Sequence, residues 1–256
     1  MLFLGLAYFR HYRMTRPPIG VLNMTDVIIA VLTIILAHFL YVILPLWIAI
    51  GLFALAVLSA LYYTLEPLLR VRSLALLASS IFVVIDIGAA WIFGTKNNGF
   101  FLVNDLVILL VIIGVSNLWV QSGIKVRDVV VLSLLLAIFD LLATALSPLT
   151  FTLFARLQSA PLTPALAWMS NGTILGGGLG DFLLVTVFSL SLYKAFGRTA
   201  GIINTLFSLL VIASLLLINQ EWPGMIFLAP LMLGQYLFWH HRYPQERTMQ
   251  RYLQQS

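Results

Sequence analysis

The chain has 256 residues, of which 61% are hydrophobic and only 9% charged, with mean hydropathy +1.04; a soluble domain covers its surface with about 25% charged residues, so a water-soluble globule is excluded. The formal charge of +5 and pI near 9.7 do not point to nucleic acid, because the basic residues stand singly or in small groups between apolar runs, as membrane anchors do. No cysteine is present, which removes disulfides and thiolate metal sites.

The first nine residues, MLFLGLAYF, are apolar. No basic region precedes them and no small-residue cleavage site follows, so they read as an interfacial segment or a helix too short to span rather than a signal peptide. A membrane-crossing helix needs about 20 mostly apolar residues. That measure predicts eight helices, at 26–44, 46–65, 73–94, 101–121, 129–147, 173–193, 200–219 and 223–240. The expected fold is therefore an all-α polytopic membrane protein of about eight transmembrane helices, in one transmembrane domain over 1–256. Pro45 divides the first two helices. Most connections are short, except the one from Pro148 to Gly172, which contains Pro148, Pro161 and Pro164. No internal repeat and no second domain is visible.

Eight spans sort the basic residues unevenly. One side collects Arg10, Arg13, Arg16, Arg70, Arg72, Lys125, Arg127, Lys194, Arg198, Arg242, Arg247 and Arg251, and the other only Lys96 and Arg156. The bias predicts that both termini are cytoplasmic.

Charged groups at the bilayer centre cost roughly 2.5–3.5 kcal/mol, so buried acids are functional suspects. Asp86, Asp140 and Asp181 fall inside predicted spans, whereas Asp26, Asp105 and Asp128 lie near helix ends, where water is expected to reach them. Asp140 follows Arg127 by 13 residues and Asp181 precedes Lys194 by 13, which puts both about 20 Å from the cytoplasmic edge. Consecutive antiparallel helices tend to be neighbours, so the two carboxyl groups can face each other. Such a pair shares one proton and titrates as a unit. It suits peptide hydrolysis, in which one carboxylate activates water and its protonated partner stabilises the oxyanion. Asp86, 14 residues past Arg72, reaches nearly the same depth and reads as an accessory or structural acid.

The glycines of GGGLGD, residues 176 to 181, abut the second acid. A protease must receive its substrate extended, and glycine lets its own backbone unwind and come close; the small-xxx-small spacing of Gly172, Gly176 and Gly180 also fits plain helix packing. His38 in the first span and His240-His241 share no metal-ligand spacing with the acids, so no metal or cofactor is expected. Asn171-Gly172-Thr173 fits a glycosylation acceptor in a eukaryotic secretory route. Trp47, Trp91, Trp119, Trp168, Trp222 and Trp239 mostly fall near predicted helix ends, as interfacial anchors do.

Gly178-Leu179-Gly180-Asp181-Phe182 resembles the GxGD motif of the presenilin and signal peptide peptidase family of intramembrane aspartyl proteases. Phe139-Asp140 resembles the family's Tyr-Asp motif, with the ring kept and its hydroxyl lost. The family's Pro-Ala-Leu element in the last helix is similar to Ala229-Pro230-Leu231-Met232, which begins 48 residues after Asp181, with Leu231 where Ala is usual. Another copy, Pro164-Ala165-Leu166, precedes the GxGD motif and reads as coincidence. The resemblance covers residues 129–240 and implies a presenilin-like homologue of prokaryotic type, an aspartic endopeptidase with Asp140 and Asp181 catalytic. It implies substrate contacts at Gly178, Leu179, Gly180, Ala229, Pro230 and Leu231, with Phe139 and Asp86 as further candidates. Its substrates would be membrane proteins or peptides in the lipid bilayer, with no nucleic acid and no cofactor. The charge bias resembles that of signal peptide peptidase, and presenilins are oriented the other way. The family usually has nine spans, and against that pattern the first is the one expected to be missing from the eight counted here. The long segment where presenilins cut themselves is missing, which argues against self-cleavage. Partner subunits stay open, since presenilins need them and several microbial relatives do not.

Three other readings stand beside this one, one of them a catalytically dead scaffold, given Phe139 and the altered last motif. Prepilin peptidases form a second GxGD family, but their motif is followed by a lysine where this chain has Leu183. A proton-coupled transporter would use Asp86, Asp140 and Asp181 as a relay.

Overall fold

The first long helix opens on a capping box. The Asn23 side chain accepts from the Thr25 and Asp26 N–H groups, and the Asp26 carboxylate accepts from Asn23 N–H at 2.8 Å, which satisfies donors that a helix start leaves unpaired. In the computed structural model, which describes residues 2–14, 21–147, 149–158, 160–170, 172–218 and 223–255, the elements are α1 (Leu2–His11), α2 (Met24–Ile43), α3 (Leu46–Leu69), α4 (Arg72–Phe93) and α5 (Asn98–Gln121). They continue as α6 (Val126–Leu141), a π-helical turn (Leu142–Leu146), α7 (Leu149–Leu157), β1 (Ala165–Ser170), β2 (Thr173–Gly178), α8 (Leu179–Phe196), α9 (Arg198–Ile218), α10 (Met225–Arg242) and α11 (Met249–Gln255). Arg16, Pro148, Asn171 and Trp222 lie outside the described residues, and with them one basic residue of the charge bias, a loop proline, the glycosylation acceptor and an anchor.

Each of the eight predicted helices has a counterpart. Pro45 separates α2 from α3 as expected, Arg70 ends α3 in the left-handed conformation (φ 58°), and Gly197 (φ 107°) ends α8. Six of the eight, namely α2, α3, α4, α5, α8 and α9, are long and apolar enough to cross a membrane. The other two fall short of that measure. Helix α6 has 16 residues, and α10 carries Gln235, His240, His241 and Arg242 in its last turns.

Three expectations are corrected. The helix predicted at 173–193 starts only at Leu179, because Thr173–Gly178 forms a strand paired antiparallel with Ala165–Ser170 in a two-stranded sheet. The connection from Pro148 to Gly172 is accordingly not an open loop, since it holds α7 and β1. The helix predicted at 129–147 likewise gives way to the π-helical turn after Leu141.

Helix α8 is the axis of the bundle. Leu184, Val185, Val187, Phe188, Leu190 and Leu192 are all buried, and so are Thr186, Ser189 and Ser191 between them, so α8 is enclosed by other helices. It packs against α5, α6, α9 and α10, with α1 across it. The outer helices expose apolar faces instead. Ile28, Ile29, Leu32, Leu36 and Phe39 of α2 and Trp91 of α4 are all exposed, an arrangement that fits lipid rather than water.

The ends of the chain meet. The Phe9 ring lies 5.2 Å from that of Tyr252, and the Arg13 guanidinium sits 5.9 Å from the same tyrosine. Beside them Lys194 at the end of α8 is 2% exposed and donates from Nζ to Ile124 O, with Asp128 and Glu246 close enough to act on its charge. Asp128, expected to reach water, is also 2% exposed. The reason is that the C-terminal segment folds over this end, with Glu246 accepting from Val126 N–H at 3.2 Å and Arg247 donating to the Tyr193 and Ala195 carbonyls.

Candidate active site

The strand that replaces the first part of the predicted helix delivers its chain directly to Asp181. Hairpin β1–β2 is held from outside by α5. Asn98 Oδ1 accepts from Met169 N–H at 2.7 Å, Asp105 Oδ1 from Ala167 N–H at 3.0 Å, and Asn104 Nδ2 donates to Thr163 O and Ala165 O, both at 3.1 Å. Asp105 therefore serves as a ladder partner for β1. Asp86 has a related task. Its Oδ1 accepts from Leu162 N–H at 2.7 Å, in the turn that leads into β1, where Leu162 has φ 57°. That bond fixes the approach to the hairpin.

The α5 bonds occupy the outer edge of β1 at Ala165, Ala167 and Met169. Given the register Ala165↔Gly178 and Ala167↔Gly176, the backbone groups of Ile174 and Gly176 point away from β1, since alternate residues face opposite sides of an antiparallel ladder, and among the described residues no hydrogen bond reaches them. The base of the hairpin is closed by Leu179 N–H donating to Pro164 O at 2.9 Å. Gly176 is required by closeness. A Cβ there would lie 2.4 Å from Leu166 O and 2.8 Å from Ala167 Cα. Gly180 meets nothing within 4 Å.

Helix α8 then begins, with Gly178 at its N-cap and Asp181 in its first turn. Helix α6 packs on α8 with its start beside Lys194 at the end of α8, and Asp140 stands in its last turn, just before the π-helical turn. Such turns recur at functional sites, where they re-aim side chains. The two half-buried acids are brought together, and the charge of Asp140 acts on Asp181. Thr144 faces Asp140 from the π-helical turn, although its buried hydroxyl meets no partner with hydrogen-bond geometry. His38 of α2 places its ring edge-on to Phe139, 5.1 Å between centroids at 80°.

The last helix meets the site in an unexpected place. A Cβ on Gly224, the N-cap of α10, would lie 2.8 Å from Asp181 Oδ2 and 3.1 Å from Cγ. The carboxyl group thus rests on bare main chain where α10 begins. Pro230 is six residues further on, about 9 Å along the axis, and it is exposed, whereas Ala229 is fully buried and Leu231 half-buried. In α10 it is Gly224 that lies against the Asp181 carboxyl group. The sequence carried only a faint signal for it, the Pro223-Gly224 pair at a helix start. His38 and Thr144 carried none, since their nearness to Asp140 depends on how α2 and the π-helical turn pack.

Compared with protein-family models, curated proteins and solved structures, the chain matches none.

Proposed function

We propose that the chain is an intramembrane aspartyl protease that hydrolyses peptide bonds of transmembrane segments, with Asp140 and Asp181 as its catalytic pair. The observation that carries this reading is the meeting of the two acids at the ends of adjacent helices, directly beneath a strand with a free edge. A substrate unwound at this level can add to the backbone groups of Ile174 and Gly176, the strand-addition mode of peptide recognition. Its scissile carbonyl then lies between the carboxyl groups.

One carboxylate takes a proton from water as the hydroxide adds to the carbonyl carbon. The protonated partner gives its proton to the carbonyl oxygen, forming a gem-diol. As the C–N bond breaks, the first acid passes its proton to the leaving nitrogen, and the second takes one back from a diol hydroxyl. Both acids return to their starting states, with no covalent intermediate. A proton relay through three acids is less well supported, because Asp86 is engaged by Leu162 N–H instead.

The test uses purified protein in detergent with a single-span substrate. Wild type should cleave, and Asp140→Asn and Asp181→Asn should each lose at least about 100-fold in kcat, the scale of general acid–base catalysis. Cleavage retained by either variant sinks the assignment.

A further inference from the structure

The connector between α10 and α11 holds two half-buried residues, Glu246 and Arg247, among exposed neighbours. Each binds the end of a helix. Val126 opens α6 behind Lys125, an N-cap whose side chain makes no capping bond, and Glu246 Oε2 accepts from Val126 N–H at 3.2 Å. At the close of α8, Arg247 donates from Nε to Ala195 O at 3.2 Å and from Nη2 to Tyr193 O at 3.3 Å, and its main-chain N–H donates to Ala195 O at 3.3 Å. A helix start carries unpaired N–H groups and partial positive charge, and a helix end carries unpaired carbonyls and partial negative charge. The acid therefore stands on the start of α6 and the base on the end of α8, each where its sign is favourable. These two ends lie side by side, and one acid–base dipeptide joins them.

Asp140 is 14 residues from Val126, and Asp181 is 14 residues from Ala195. Both acids thus stand about 21 Å along their helices from the dipeptide. We propose that Glu246 and Arg247 are positioning residues, which fix α6 and α8 in axial register from the end opposite the acids and so hold Asp140 and Asp181 at one level. A slip of one residue along either axis is about 1.5 Å, and a misplacement of about 1 Å can cost 100-fold in rate. Helix α10 links the two places, since its start puts Gly224 against Asp181 and its end leads into the connector. Lys194 adds a separate tie, from Nζ to Ile124 O, so losing the dipeptide loosens the register rather than the bundle. The inference rests on the protease reading, and two measurements keep them separable.

The first involves no cleavage. The chain has no cysteine, so Asp140→Cys combined with Asp181→Cys reports their spacing through a short bifunctional thiol reagent. Crosslinking should be efficient with the dipeptide intact. It should fall at least about fivefold when Glu246→Arg and Arg247→Glu are added together, an exchange that puts each charge on the unfavourable helix end. Circular dichroism should show the helices retained; where the exchange lowers helix content, Glu246→Ala, which leaves the Arg247 and Lys194 bonds, takes its place with the same expected fall. The second is steady-state cleavage of a single-span substrate. Arg247→Ala should lower kcat about tenfold with KM within about twofold. Arg247→Lys, which keeps a cation on the α8 carbonyls, should recover to within about threefold of wild type. Crosslinking that survives these changes, or an Arg247→Ala enzyme with the wild-type kcat, overturns the proposal and leaves the protease reading standing. Crosslinking lost on the exchange, in a protein whose wild type cleaves nothing, retains the positioning role and removes the protease reading. No crosslinking with the dipeptide intact overturns both.

Discussion

A methyl group on Gly224 would push into the Asp181 carboxyl group, 2.8 Å from Oδ2, and a catalytic group displaced by about 1 Å can cost 100-fold in rate. Gly224→Ala should therefore lower kcat/KM at least about tenfold while circular dichroism shows the helices intact. Gly180 gives the opposite expectation despite its place in the GxGD motif. Open space surrounds it, and alanine in a first helical turn is easier to hold than glycine, so Gly180→Ala should leave thermal stability unchanged or raise it by about 0.5–1 kcal/mol. Pro230→Ala should fall between them in activity, since Pro230 is exposed and more than a turn from the acid. Cleavage rates and melts of the three variants rank these residues directly, and a Gly224→Ala enzyme as active as Gly180→Ala would contradict the geometry. At this scale the acids were legible because charge in an apolar run stands out. Their neighbours were not, because Gly224, Thr144 and His38 are ordinary residues whose role comes from tertiary placement.

Among the elements, helices were legible wherever an apolar run was long and its ends carried turn or cap residues, as at Asn23, Pro45 and Gly197. The hairpin was hidden for a physical reason. Its strands are six residues each, apolar or glycine, and a short apolar run does not distinguish a buried strand from part of a helix. The clue was length, because a long open loop inside a packed protein is uncommon. The π-helical turn after Leu141 left no such clue. The hairpin also yields a prediction of its own. A Cβ at Gly176 would press on Leu166 O and Ala167 Cα, both backbone, so neither can swing aside. Gly176→Ala should unpair β1 from β2, and Asp105→Ala should free only Ala167 N–H. Hydrogen exchange over 165–178 should accelerate broadly in the first variant and at Ala167 alone in the second. Substrate cleavage should fall in the first, since the strand edge proposed to receive the substrate would be gone. Equal protection in wild type and Gly176→Ala would mean that the pairing does not depend on that close approach.

Across the whole molecule, the placement of the hairpin decides which helices must traverse the bundle. Asn98, two residues beyond Lys96, bonds both backbone groups of Met169, so the hairpin lies at the Lys96 end. Helix α6 starts at the opposite end, where Val126 N–H bonds Glu246 and Asp128 lies by Lys194. Its 16 residues extend about 24 Å, and the π-helical turn and α7 carry the chain on to Arg156 at the end of α2. A helix too short to pass a span criterion alone can thus still cross with its extension, against a hydrocarbon core of about 30 Å. Six helices meet the span criterion, and a count of eight differs from it in where the hairpin emerges. With eight, Thr173 shares a face with Lys96; with only the six longest helices crossing, it shares the face of Arg251. The chain has no cysteine, so each introduced thiol reports one position. In intact cells, an impermeant maleimide should label Lys96→Cys and Thr173→Cys, whereas Arg251→Cys should react only after permeabilisation, as the basic bias toward the terminal side requires. Labelling of Thr173→Cys together with Arg251→Cys would remove α6 from the membrane-crossing set. It would also separate the level of Asp140 from that of Asp181, because α6 could no longer run antiparallel to α8 through the bilayer.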